Sequence, residues 1–384
     1  MLRLWRLAKS LTRLRWRFKP PRQRDVLLFF KTGADVIAPY FRPNEFQVLD
    51  LRESEVNLAV VFKCLLTRDL SAQSYARQFI NIAKPKLIVT FIDNFPQYFL
   101  LKSEFPKISV WLIQNGVRSE RGDLFGLLKN DQSNSNFKVD KMFVFGSAIG
   151  AKYNQYISGT IIEHGSFKNN CVAIKPCKKN LVAYVSTYRP DQSRSFIVPE
   201  STPDRPIKYE QIIARREKAI IWLANYCQEN QLQLSVIGKH ERPEQEEQYY
   251  RSLLIGHEFE FVARKTSTSS YDSVDQAEIV VFTSSTLGYE ALARGKKTAA
   301  LMLDAELIGA DALRFGWPKN FITEGKFWTH KLDKTRMHEI LDFLRKVDDH
   351  EWRELLSQTI QDVINFDAGN SKFSDAIEEL RQTW

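Results

Sequence analysis

AEIVVFTSSTLGYEALARG, at residues 277–295, joins a short apolar run, a cluster of hydroxyl residues and an amphipathic stretch that ends in glycine. The apolar run predicts a buried strand at 278–283, and the following stretch predicts a helix at 286–294. Ser284, Ser285 and Thr286 lie at the junction, where the free N–H groups of a helix N-terminus favour an anion such as a phosphate. A plain helix cap is the alternative interpretation of the same residues.

The same alternation of apolar and amphipathic segments extends outward and predicts an α/β fold with parallel sheets. Before a polar connector, strands are predicted at 26–30, 46–50, 87–92, 108–113, 142–145 and 160–162. After the connector they are predicted at 181–186, 233–237, 259–262, 278–283 and 298–302. This restart indicates two Rossmann-like domains with a cleft between them, an N-terminal acceptor-side domain at 25–170 and a C-terminal donor domain at 178–370.

The formal net charge of +9 is concentrated in the N-terminal tail, 1–24. That tail holds nine of the 55 basic residues and no acidic one, so the rest of the chain balances 46 basic against 46 acidic residues. On a helical wheel, Leu4, Leu7, Leu11, Leu14 and Phe18 form an apolar stripe opposite the basic residues. The tail is thus predicted to be a basic amphipathic helix on the anionic inner face of the cytoplasmic membrane. Packing on the protein's own body and a targeting role are the alternatives.

Composition and missing motifs argue against several protein classes. A 384-residue chain that is 43% hydrophobic can build real cores, but it has no apolar run of the roughly 18 residues that a membrane span needs. The dinucleotide-binding, P-loop and nucleophile-elbow patterns are all missing, which disfavours the corresponding oxidoreductases, NTPases and α/β-hydrolases. The four cysteines form neither a disulfide framework nor a zinc pattern. We expect no metal, no cofactor and no nucleic-acid partner.

The segment YDSVDQAEIVVFTSSTLGYEALARGKKTAAL, 271–301, resembles the donor half of GT-B glycosyltransferases. Among these it is most similar to bacterial surface-carbohydrate biosynthesis proteins, relatives of the capsule and O-antigen sugar transferases that include Kdo transferases. Further motifs extend the resemblance over most of 25–370: IDNFPQYF (92–99), IQNGVRSERGDLF (113–125), FGSAIGAKY (145–153) and EHGSFKNN (163–170).

The resemblance implies an enzyme that moves a sugar from a nucleotide-sugar donor, an NDP- or CMP-sugar, to a surface polysaccharide or a lipid-linked saccharide. The nucleotide sugar is then a substrate. By the match, Ser284, Ser285 and Thr286 would hold the donor phosphate, and Glu290 the ribose. The resemblance also implies a C-terminal helix, at 371–384, that crosses back to the N-terminal domain.

Candidate catalytic residues follow two strands of the N-terminal half. Asp93, with Asn94 beside it, comes after strand 87–92, where a carboxylate can act as general base or as nucleophile. A cap for the helix near Pro96 is the alternative. Glu163 and His164 precede the connector and so face the cleft, where an imidazole can act as acid or base near neutral pH. A structural histidine is the alternative there.

Candidate acceptor-binding residues end the strand at 108–113. Gln114, Asn115 and Gly116 offer neutral amides to sugar hydroxyls, Asn94 lies at the same edge, and Arg118 is available to an anionic group. The alternative is an ordinary Asn-Gly turn.

Further donor-binding candidates occupy the corresponding strand ends of the C-terminal half. Basic groups after strand 233–237 would neutralise nucleotide phosphates, and a polar stretch from 188 to about 208 is predicted to be a lid over the donor. Solvated charge and helix capping are the competing explanations. The candidates at strand ends are Lys239, His240, Tyr188 and Arg189. Tyr271, at the start of a helix before strand 278–283, is a candidate contact to the base, and Gly288, on the first turn of the helix at 286–294, allows close approach of a ligand or backbone.

Two other functions remain open from the sequence. A nucleotide-sugar 2-epimerase shares the plan of two Rossmann-like halves, and a non-catalytic binding subunit would keep the fold without the chemistry. Acceptor-dependent release of free nucleotide separates the transferase from both.

Overall fold

The computed structural model describes residues 15–51, 55–132, 134–190, 193–240, 243–319 and 321–384. It contains two large, mainly parallel sheets, each with helices on both faces, as the alternation of apolar runs predicts, and a separate two-stranded sheet near the N-terminus. Strands are numbered β1 to β15 in chain order.

The N-terminal domain is built on a six-stranded parallel sheet with the order β3-β2-β5-β6-β7-β8. Its strands are β2 (Val26–Phe29), β3 (Phe46–Leu49), β5 (Leu87–Thr90), β6 (Ser109–Ile113), β7 (Lys138–Val144) and β8 (Ser158–Glu163). Its central strands β2, β5 and β6 are mostly apolar because both faces are covered there, whereas β7 and β8 toward one edge carry more polar residues. The helices are Ala34–Ile37, Leu58–Leu66, Ala72–Ala83, Leu101–Glu104, Leu124–Asn130, Ser147–Asn154 and Phe167–Asn170.

The C-terminal domain has a seven-stranded sheet with the order β11-β10-β9-β12-β13-β15-β14, parallel except for β14. Its strands are β9 (Leu181–Val185), β10 (Gln233–Ile237), β11 (Glu260–Val262), β12 (Ile279–Phe282), β13 (Lys297–Leu301), β14 (Glu324–Gly325) and β15 (Trp328–Thr329). Its helices are Tyr209–Glu229, Pro243–Leu253, Ser270–Gln276, Thr286–Ala293, Leu303–Ile308, Lys334–Lys346 and Asp349–Ile360.

The last helix, Ser371–Arg381, packs on the N-terminal sheet. Phe373 sits against Trp111 and Phe143 of that sheet, with ring centroids 5.9 and 5.1 Å apart. Arg381 also forms an ion pair of 2.8 Å with Glu45. The chain therefore contributes its C-terminus to the first domain. The two domains are linked by two chain segments, the connector between them and the segment that returns before this last helix.

The N-terminal tail differs from its prediction. The helix expected to run through Phe18 is wrong at Arg15–Arg17, which form β1, a strand that pairs in parallel with β4 (Glu55–Asn57). Pairing with a neighbouring strand and an ion pair between Arg17 and Glu55 outweigh the helical periodicity here. The rest of the predicted apolar stripe, residues 4–14, lies outside the described residues. None of the described helices has the length and apolar character that a bilayer crossing demands.

Candidate active site

The carboxyl ends of β9 and β12 mark the switch point of the C-terminal sheet. Chain connections leave these adjacent strands toward opposite sides, so the loops that follow them diverge and open a crevice, the place where open α/β sheets bind ligands. Tyr188 and Arg189 follow β9, and Ser284, Ser285 and Thr286 follow β12. The topology thus brings together two groups of predicted donor residues that are distant in sequence.

Two adjoining cavities lie at this crevice, with volumes of about 390 and 280 Å³. The larger one is an interdomain cavity, since Arg118, Ser119 and Asp123 of the N-terminal domain form one wall. Arg189, Tyr209 and Arg216 line both cavities and make them one continuous site. The combined space is large enough for a nucleotide sugar or a similar ligand.

The hydroxyl cluster occupies the floor of the larger cavity. Ser285 is the N-cap of the helix Thr286–Ala293 and accepts a hydrogen bond of 3.3 Å from Leu287 N–H. The Ser285 and Thr286 N–H groups have no acceptor among the described residues, and both residues line the cavity. The cap and the anion site are therefore compatible, because the capping bond uses one hydroxyl and leaves two N–H groups for a ligand.

Arg216 is a site residue that the sequence analysis missed. It projects from the helix Tyr209–Glu229, forms an ion pair with Asp304 and donates a 2.7 Å hydrogen bond to Ser284 Oγ. Burial disfavours its charge, but Asp304 outweighs this effect and raises the pKa of Arg216. Its Nη1 has no acceptor among the described residues, so one donor remains for an anionic ligand. Asp304 comes shortly after strand β13, so a search of every predicted strand for polar residues that follow it would have found Asp304.

The smaller cavity is lined by tyrosines. Tyr188 stacks at a tilt on Tyr249, with ring centroids 4.9 Å apart, and Tyr184, Tyr209 and Tyr250 complete the wall. Such a wall suits a planar ring such as a nucleobase.

The loop after β10 is held beside this aromatic wall by Glu246, which is fully buried. Its carboxylate accepts hydrogen bonds from the N–H groups of Lys239 and His240, at 3.0–3.1 Å, and from Ser186 Oγ. His240 Nε2 contacts the Tyr188 carbonyl. Desolvation and then the cations Arg189 and Arg216 lower the pKa of Lys239 to about 8, although the residue is partly exposed to solvent. The predicted residues Tyr188, Lys239 and His240 therefore form one cluster.

The segment predicted to be a lid, 188–208, lies over the larger cavity where it is described. Phe196, Val198, Pro199 and Glu200 line that cavity. Val198 is buried in a small apolar cluster of its own, and Arg121 of the N-terminal domain donates a 3.4 Å hydrogen bond to the Glu200 carbonyl. This segment therefore contacts both domains above the site. Its opening and closing stay a prediction.

Asp93 lies beneath the opposite wall and does not line either cavity. Its side chain is fully buried and accepts from Arg118 Nε (2.8 Å), Tyr153 OH (3.0 Å) and Asn115 N–H (3.2 Å). Arg118 is the residue that reaches the cavity, and Asp93 raises its pKa against the effect of burial. In this conformation Asp93 orients Arg118. A direct base role would require Arg118 to move, and it stays a prediction.

Among the other acceptor-side candidates, Gln114 forms its hydrogen bonds with backbone groups of its own domain. The Gln114 amide donates to the Gly116 carbonyl at 3.0 Å and accepts from Phe145 N–H at 2.8 Å, so both ends are used within the domain. Gly116 faces the donor domain, where a Cβ would lie 3.7 Å from Thr286 Oγ1. Asn94 is half-buried and lies outside both cavities.

His164 and Glu163 lie at the junction with the returning chain, away from both cavities. The His164 ring is fully buried between Phe143 and Phe167, with Nε2 3.5 Å from Asp367 Oδ2. Burial lowers the pKa of His164 to about 4 in spite of Asp367. Glu163 accepts a 3.2 Å hydrogen bond from Asn365. Their acid–base roles stay predictions, and the contacts seen are structural.

Glu290, Tyr271 and Gly288 also lie outside both cavities. Glu290 accepts a hydrogen bond from Ser166 of the N-terminal domain, and burial raises its pKa. Tyr271 is buried in the same contact region. Gly288 packs against Phe282, where a Cβ would lie 2.0 Å from the ring. Close packing against Phe282 therefore explains why a glycine occupies position 288. The ribose-binding role of Glu290 stays a prediction. Within the described residues no three metal-ligating side chains form a cluster.

Comparison with known families identifies the chain. A family model described as "putative O-antigen biosynthesis protein" matches residues 111–381. The chain belongs to this family. The match includes the whole donor domain and half of the N-terminal sheet, so the surface-carbohydrate type predicted from the sequence motifs is confirmed. A comparison with curated proteins gives no match.

Solved structures confirm the GT-B fold. A "putative UDP-N-acetylglucosamine 2-epimerase" from Listeria monocytogenes superposes with a TM-score of 0.55 and 13% identity, covering 94% of this chain and 98% of that one. The wall teichoic acid polymerase TagF superposes with a TM-score of 0.51 and 10% identity, covering 94% of this chain and 90% of that one. A glycosyltransferase from Rickettsia africae superposes with a TM-score of 0.51 and 10% identity, covering 94% of this chain and 100% of that one. At these identities the likeness shows the fold alone.

Proposed function

We propose that the O-antigen family protein is a glycosyltransferase that moves a sugar from a nucleotide-sugar donor to a surface polysaccharide or lipid-linked saccharide. The observation that carries this proposal is the interdomain cavity at the switch point of the donor sheet, with two free N–H groups at a helix N-terminus and Arg216 beside them. A diphosphate or phosphodiester fits these donors, because oriented N–H groups and a guanidinium stabilise the charge that develops as the nucleotide leaves. The reaction would need no metal ion.

The donor is proposed to lie across both cavities. Its base would stack near Tyr188 and Tyr249, its phosphates would bind at Ser285, Thr286 and Arg216, and its sugar would face Arg118 at the N-terminal wall. The acceptor would approach from the Arg118 side. Asp93 is proposed to be required for transfer, either through its hold on Arg118 or as the base that takes the acceptor proton once Arg118 has moved.

The experiment is a donor screen followed by turnover. Thermal unfolding of the full chain with CMP, UDP, GDP and CDP should single out one nucleotide, since a ligand at about 100 times its dissociation constant adds about 2.7 kcal/mol. The matching nucleotide sugars are then incubated with and without saccharide acceptors while free nucleotide is measured. Acceptor-dependent nucleotide release supports the proposal, and binding without release under any acceptor would indicate a binding subunit.

A nucleotide-sugar 2-epimerase is the second candidate, because one of the superposable structures bears that name. An epimerase converts the donor into its C2 epimer without an acceptor. Chromatographic separation of the two sugar epimers after incubation with UDP-N-acetylglucosamine alone therefore distinguishes it from a transferase.

A further inference from the structure

The helix Leu58–Leu66 in the N-terminal domain is apolar on nearly every side. Its sequence is LAVVFKCLL, and Lys63 is its one polar residue. Val60 and Cys64 face the core, as expected for a helix on a sheet. A helix that is hydrophobic all round is normally covered on both sides, and here the described residues leave one side exposed.

The uncovered face consists of large apolar side chains. Phe62, Leu65 and Leu66 are 62%, 54% and 69% exposed, and Leu70 just beyond the helix is 67% exposed. At 100° per residue, Phe62, Leu65 and Leu66 fall within about 100° of one another on the wheel and point away from Val60 and Cys64. Clustered exposure of this kind marks an interaction surface, whereas single exposed apolar residues are ordinary.

The charges around this face are mostly positive. The ranges 15–24 and 55–70 hold seven basic residues and two acidic ones, Asp69 and Glu55, which forms an ion pair with Arg17. The basic N-terminal segment lies next to the helix, because β1 pairs with β4 and the Asn57 side chain donates a 2.8 Å hydrogen bond to the Lys19 carbonyl. Trp16 and Phe18 in that segment are exposed too. In the sequence, residues 1–14 before β1 hold four further basic residues.

We propose that this face, defined by Phe62, Leu65, Leu66 and Leu70, docks the folded domain on an anionic lipid surface. Apolar side chains enter the acyl boundary while the surrounding basic residues contact lipid phosphates, the combination that holds interfacial helices on membranes. The four residues that define this face do not belong to the tail segment 1–14. Docking by this face also does not rest on glycosyl transfer, so loss of docking and loss of catalysis are separate results.

The test measures partition of the full-length protein to vesicles of about three parts phosphatidylcholine to one part phosphatidylglycerol. The variant Phe62→Ser/Leu66→Ser should bind roughly tenfold or more weakly than wild type. The matched control, Ile255→Ser/Ile322→Ser, removes two side chains that are 80% and 74% exposed on the donor domain and should bind as wild type does. Raising the salt concentration should weaken wild-type binding, because the basic residues are exposed.

A second readout reports insertion directly. The variant Phe62→Trp should show a blue shift and quenching by brominated lipid on vesicle addition, whereas Ile255→Trp should not. Equal vesicle binding by the serine pair and wild type would overturn the proposal. So would a wild-type dimer in lipid-free solution that the serine pair converts to a monomer, since a second copy would then cover the face. Deletion of residues 1–14 separates the tail: binding that survives deletion and disappears with the serine pair supports docking by the helix.

Discussion

The two sheets place polar residues after their strands in the same way, but these residues have different surroundings. After β5 and β6 of the N-terminal sheet, Asp93 and Gln114 are buried and hydrogen-bonded to the domain's own groups. After β8, the His164 ring is buried between aromatic rings, and its Nε2 has no hydrogen-bond partner among the described residues. After β9 and β12 of the C-terminal sheet, Tyr188 and Thr286 line open cavities. A polar residue at a strand end is thus a candidate site residue, and its contacts in the fold decide whether it can reach a ligand.

The difference suggests a division of labour. The donor domain presents unsatisfied N–H groups and cations to a ligand, whereas the N-terminal domain uses its strand-end polar groups to hold loops and to orient Arg118. Substitutions on the N-terminal side should therefore act mainly on the stability of the fold, and substitutions on the donor side mainly on ligand affinity.

Asp93→Asn should have the largest effect. Removing one charge of a buried ion pair leaves the other uncompensated, at a cost of about 3–5 kcal/mol in the free energy of unfolding. Transfer should also be lost. Nucleotide affinity per folded molecule should stay nearly unchanged, because the proposed phosphate donors Ser285, Thr286 and Arg216 belong to the other domain and do not contact Asp93. Chemical denaturation, nucleotide titration and turnover measure the three quantities.

Two comparison variants interpret the Asp93 result. Tyr153→Phe removes one hydrogen bond to Asp93 and keeps the ion pair, so it should cost only about 1 kcal/mol and keep turnover. If Arg118→Ala loses turnover as fully as Asp93→Asn, Asp93 acts through Arg118; if Arg118→Ala stays active, Asp93 is the base. Full turnover of folded Asp93→Asn would remove this residue from the mechanism.

His164 gives the same N-terminal side a pH dependence. The pKa of a histidine is about 6.5 in an unfolded chain, and burial lowers the pKa of His164 to about 4. Between these values the unfolded state binds more protons, so stability should fall as the pH decreases from 6.5 towards 4, by roughly 2–3 kcal/mol. Denaturation midpoints across this range measure the slope.

A variant without the imidazole tests the assignment. His164→Gln should flatten the dependence between pH 4 and 6.5, and His350→Gln, at an exposed helix position, should leave it as in wild type. An unchanged slope in His164→Gln would mean that another group controls acid stability.

Substitutions in the hydroxyl cluster after β12 should act mainly on nucleotide affinity, whereas those on the N-terminal side act mainly on stability. Replacing Ser285 and Thr286 together by alanine should weaken nucleotide binding by about 1.5–3 kcal/mol through lost hydrogen bonds to a charged ligand. Loss of the Ser285 cap should also cost about 1 kcal/mol of stability. Isothermal titration with the nucleotide found by the screen measures the affinity. Unchanged affinity would show that these two hydroxyls do not bind the nucleotide, and the backbone N–H groups, which alanine keeps, would be the donors that remain.

How far the sequence predicts this site depends on the distance between partners. The motif at 283–290 could be placed because strand, hydroxyl cluster and helix are contiguous, and the two-domain fold followed from apolar periodicity. Arg216 was missed because its partner Asp304 lies 88 residues away and the helix reads as a charged surface. The burial of Asp93 was equally hidden, since it depends on Arg118 and Tyr153. At Arg15–Arg17 a tertiary strand pairing overrode a local helical pattern.

Substitution of Lys239 should have the smallest effect on nucleotide affinity. It tests whether the cluster after β10 contacts the ligand, as the residues that line the donor cavities are proposed to do. The pKa of Lys239 is about 8, lowered by desolvation and by the cations Arg189 and Arg216. If its ammonium contacts the donor phosphates, the protonated form binds better, so nucleotide affinity should fall as the pH rises through 8. A partly exposed pair of this kind contributes about 1 kcal/mol, or roughly fivefold in affinity. Lys239→Arg should keep the affinity constant across this range because arginine stays charged. Lys239→Met should bind more weakly at pH 7 and show no decline, and a decline that persists in Lys239→Met would place the titrating group elsewhere.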